Sequence, residues 1–77
     1  MQISVEDARV CAVALKDAMA YWTNRAIDHD TRATDCATSG AMLGLELHTR
    51  CATQARTLVA EMHATWKRVQ AMVDVST

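Results

Sequence analysis

The chain has 77 residues, with 8 Lys and Arg against 9 Asp and Glu, a net charge of -1, no Pro, no Phe, two Gly and fourteen Ala. A chain this short makes one domain at most, here residues 1–77, and the lack of Pro and scarcity of Gly exclude turn-rich β-sandwiches and barrels. Balanced charge argues against a protein held to its partner mainly by phosphate attraction, and an apolar share of 51% excludes disorder.

At the start, Glu6 and Asp7 stand where a secretory leader carries positive charge, so no leader is expected. The most apolar stretch, Val10 to Trp22, is interrupted by Lys16 and Asp17 and falls short of the ~20 residues of a membrane helix. Cys11, Cys36 and Cys51 are odd in number and widely spaced, a poor disulfide framework, which points to a reducing cytoplasm.

Val5, Ala8, Ala12, Leu15, Met19, Trp22 and Ala26 recur at alternating spacings of three and four, the seam of a packed helix. Ser4 is its expected N-cap, with Glu6 and Asp7 at the positive end of the dipole, and the spacing predicts a helix over 4–27. Residues 28–40 are polar and rich in Asp and Thr, which favour caps and turns. They form a polar connection or a short third helix closed by Gly40, or they extend one of the long helices; nothing in them forbids helix. From Ala41 the alternation resumes through Leu45, His48, Ala52, Ala55, Val59, Met62, Trp66, Val69 and Val73, predicting a helix over 41–74.

The fold class is therefore all-α, an antiparallel helical hairpin. Laying the two seams against each other to match small residues with large pairs Trp22 with His48, Met19 with Ala52, Leu15 with Ala55 and Val5 with Trp66. The seams leave apolar flanks uncovered: Gly44, Leu47, Cys51, Leu58 and Met72 on one helix, and Cys11, Ala18, Val10, Val13, Tyr21 and Ile27 on the other. Contiguous apolar patches mark contact sites, and self-association into a four-helix bundle is one way to cover them.

Chemistry-bearing residues are few. His29, Cys36, His48 and Cys51 are the groups a zinc ion would need, but their spacing is not that of a finger or ribbon, and no metal or other cofactor is expected. Phosphate loops, nucleophile elbows and His-Glu-x-x-His patterns do not occur, so no catalytic residues are nominated and an enzyme is not expected. Arg25, Arg32, Arg50 and Arg56 are candidates for nucleic-acid contact, yet Asp28 and Glu46 precede Arg32 and Arg50 by four residues, the order of helical ion pairs. Trp22 and Trp66 read as core, whereas Tyr21 lies off the seam.

The sequence thus points to another protein as partner, with Tyr21, Arg25, Arg32, Leu47, Arg50 and Leu58 as candidate contact residues, since Tyr and Arg dominate interface hot spots. The expected function is a cytoplasmic inhibitor or adaptor that occludes a partner's working surface; a self-assembling bundle and a small nucleic-acid-associated regulator are the alternatives. No family motif is present. In size and charge the chain resembles the small phage and plasmid inhibitors of host systems as a class.

Overall fold

The computed structural model describes residues 3–75, and these form two helices, α1 (Val5–Ser39) and α2 (Met42–Val75), with no strand among them. They fold back on each other as a hairpin measuring 54 × 17 × 13 Å.

Helix α1 starts where the sequence signals it. Ser4 accepts a 3.1 Å hydrogen bond from the Asp7 N–H through its hydroxyl, with Glu6 and Asp7 in the first turn. It does not stop at residue 27. The segment from Asp28 to Ser39 is neither a connection nor a separate helix but the last third of α1. The hydroxyls of Thr31, Thr34 and Thr38 donate to the carbonyls of Ile27, Asp30 and Thr34, four residues back, so these side chains are satisfied inside a helix. The seam also continues through it: His29 and Cys36 are half-buried and Ala33 is buried.

Gly40 closes α1 with a left-handed φ of 80°, and the Gly40 and Ala41 N–H groups both donate to the Cys36 carbonyl. Because the chain reverses over Gly40 and Ala41 alone, residues equally distant from that point lie level. Trp22 therefore lies level with Val59, not His48, and Leu15 with Trp66, not Ala55. The small-against-large pairing read from the sequence is displaced by about 16 Å of slide at 1.5 Å per residue. Val73 is buried as a result, where the expected register left it beyond the end of α1.

The core is thin. Among the described residues, the buried ones are Ala8, Ala12, Ala26 and Ala33 of α1 with Ala52, Ala55 and Val73 of α2, and no large side chain is fully buried. Trp22 and Trp66, expected in the core, are half-buried together with Leu15, Met19 and Met62. Two helices meet along one stripe, and large residues facing each other across it spread beyond what two helices cover. Ala41, expected in the seam, is exposed because it belongs to the turn.

Candidate functional site: two apolar surfaces on the hairpin

The residues beside the seam sort into two sides. On one, Asp30 of α1 accepts from the Arg56 guanidinium of α2, an ion pair that bridges the helices. Its other flanking residues include Arg9, Lys16, Thr23, Thr49 and Gln70, so this side is polar along most of its length, with a groove of about 560 Å³ beside Ala33, Ala37 and Leu45 toward the turn. The opposite side carries Cys11, Ala18, Arg25 and Arg32 at seven-residue intervals in α1, and Gly44, Cys51, Leu58 and Thr65 at the same interval in α2. At its middle lies a groove of about 290 Å³ lined by Trp22, His29, Cys51, Gln54, Ala55 and Leu58.

The second apolar surface is the tip of the hairpin. Met42, Leu43 and Leu47 are 66%, 85% and 56% exposed at the start of α2, and Leu43 and Leu47 line a shallow depression with Glu46 and Arg50. Side chains of this size rarely stand together in water on an ordinary surface.

The six contact residues expected from the sequence divide between these surfaces. Tyr21, 57% exposed, packs edge-on against Trp22 at 5.1 Å on the rim of the groove, and half-buried Leu58 lines its floor. Arg25 and Arg32 flank the same side, both reaching Asp28, at 4.0 and 3.1 Å. Leu47 and Arg50 belong to the tip, where Arg50 donates to Glu46 at 3.0 Å. With Arg56 held by Asp30, all four arginines proposed for nucleic-acid contact are engaged by carboxylates.

The histidines and cysteines are arranged differently from the sequence expectation. His48 meets His29 rather than Trp22: the two Nδ1 atoms are 2.9 Å apart, so one ring donates and the other accepts across the helices. Cys36 lies against Gly44, and Cys51 lines the groove. Among the described residues no group of three or more His, Cys, Asp or Glu is gathered as a metal site needs. Sequence reasoning missed the part of His29 and Asp30 in joining the helices. The signal was there, since His29, Ala33 and Cys36 extend the three-and-four alternation of α1 beyond Ala26.

No helix among the described residues is long and apolar enough to cross a membrane. Compared with protein-family models, with curated proteins and with solved structures, the chain matches none.

Proposed function

We propose that the chain is a non-enzymatic protein-binding module, a small inhibitor or adaptor whose preformed helical surface covers the working surface of another protein. The observation that carries this reading is the tip, where Met42, Leu43 and Leu47 stand open to solvent beside the Arg50–Glu46 pair. Burying such side chains is worth about 1.5–3 kcal/mol each, enough for a few of them to anchor an interface. A protein partner is favoured over nucleic acid because Arg25, Arg32, Arg50 and Arg56 are paired with carboxylates and the net charge is -1.

The test is affinity capture from the organism that makes the protein, comparing the wild type with Leu43→Glu/Leu47→Glu. Both side chains are exposed, so the double variant keeps the wild-type helical circular dichroism. The expected result is a stoichiometric partner retained by the wild type and lost by the variant. Retention of nothing, or of the same partner by both, overturns the tip as the binding surface.

A further inference from the structure

We propose that the groove side of the hairpin is an interface between two copies of this chain, packed antiparallel about a twofold axis into a four-helix bundle. The first argument is area. A compact monomer of 8.5 kDa exposes about 4,700 Å². This hairpin exposes 5618 Å². The excess, about 900 Å², comes from the rod shape, and a lengthwise contact of the usual size, roughly 800 Å² per partner, would take that much out of water.

The second argument is what lies half-covered. Leu15, Trp22 and Met62 occupy the groove-side rows of the seam, yet none is buried, as if they formed half of a larger core, whereas Trp66 stacks on His63 toward the other side. Counted from the turn, Leu15, Trp22 and Met62 fall within about seven residues of one level, beside the groove, where a second hairpin packed on that side covers them.

The third argument is placement. Trp22 and Leu58 stand at the midpoints of α1 and α2, and the groove they line is at the middle of the 54 Å hairpin. A twofold axis crossing the groove side at that level superposes two hairpins over their whole length and brings each Leu58 against its counterpart. An isologous contact requires such a central, self-complementary patch; a foreign helix does not. Around this level the flanking residues Ala18, Cys51, Leu58 and Thr65 are uncharged, and Arg25, one turn from Trp22, is drawn toward Asp28 at 4.0 Å. The opposite side has its groove, of about 560 Å³ beside Ala33, Ala37 and Leu45, near the turn rather than at the middle, and the Asp30–Arg56 ion pair stands next to it.

The experiment is light scattering at tens of micromolar, joined to a crosslink that does not depend on the monomer being stable. The wild type is expected at twice 8.5 kDa. With Cys11, Cys36 and Cys51 replaced by Ala, Leu58→Cys is expected to form a covalent dimer on mild oxidation, while Leu43→Cys at the tip stays unlinked. A wild-type mass of 8.5 kDa, or linkage through Leu43→Cys as fast as through Leu58→Cys, overturns the proposal. The tip lies outside this interface. A monomer that still captures a partner through Leu43 therefore removes the dimer alone, and a dimer that captures nothing removes the proposed function alone.

Discussion

The two glycines do different work, and single substitutions separate them. Gly40 is needed for its conformation: φ is 80°, and a Cβ built there meets nothing within 4 Å. Gly44 is needed for its size, because in the first turn of α2 its Cβ would come within 2.7 Å of the Cys36 Sγ. Gly40→Ala should therefore cost about 1 kcal/mol whatever stands at position 36, and Gly40→Asn less. Gly44→Ala gains helix propensity but must displace the thiol. Made on top of Cys36→Ala it should stabilise by roughly 0.5 kcal/mol, and made alone it should gain less than that. Urea unfolding of the four combinations at positions 36 and 44 measures the coupling, and additivity between them would show that the contact carries no strain. The same close approach of Cys36 to Gly44 explains why a thiol on the seam, read earlier as a candidate zinc ligand, is occupied in helix packing near the turn.

At the scale of the helices, both seams were legible as far as their apolar residues run, and so was the Ser4 cap. The register was not, for a physical reason. A seam whose apolar residues recur every three or four residues meets its partner again after a slide by any sum of those spacings, about eleven residues here, so complementarity alone does not choose among registers. Loop length chooses, and loop length was hidden by the Asp- and Thr-rich stretch 28–39, whose hydroxyls turn back to helix carbonyls instead of breaking the helix. Of the binding surfaces, the uncovered flanks could be read from the sequence. Which flank closes with the Asp30–Arg56 pair and which stays open could not, because that follows from the register. The observed register makes its own prediction. Ala26 and Ala55 are both buried, at 3% and 4% exposure, and equally distant from the turn. In a chain otherwise free of cysteine, Ala26→Cys/Ala55→Cys should close an intramolecular disulfide, since Cα atoms in a closely packed small-residue layer come within the roughly 7 Å limit. Leu15→Cys/Ala55→Cys should stay reduced, and the opposite pattern on a non-reducing gel would restore the displaced register.

For the molecule as a whole, the core is too thin for its length. Among the described residues seven are buried, six of them Ala, and they contribute little area each, while the radius of gyration of 16.9 Å exceeds the roughly 11 Å of a compact domain of this size. A single core in a chain below about 80 residues rarely supplies more than 3–5 kcal/mol, and this one is drawn out along a rod rather than gathered into a sphere. If two hairpins complete each other's core, folding and association become one step, and stability depends on concentration. Hundredfold dilution then removes about 2.7 kcal/mol from the dimer. Two chains of this length unfold with an entropy near 0.3 kcal/mol/K, so the midpoint of thermal unfolding should fall by roughly 8 °C over that dilution. A hairpin that folds alone keeps its midpoint at every concentration. Leu58→Glu separates the cases further: placed at the twofold level it should abolish the concentration dependence and leave a less stable, less helical chain, whereas Leu43→Glu should leave the dependence intact. Circular dichroism melts of the three proteins across that dilution make the comparison, and a wild-type midpoint that does not move would return the exposed Trp22–Leu58 groove to solvent.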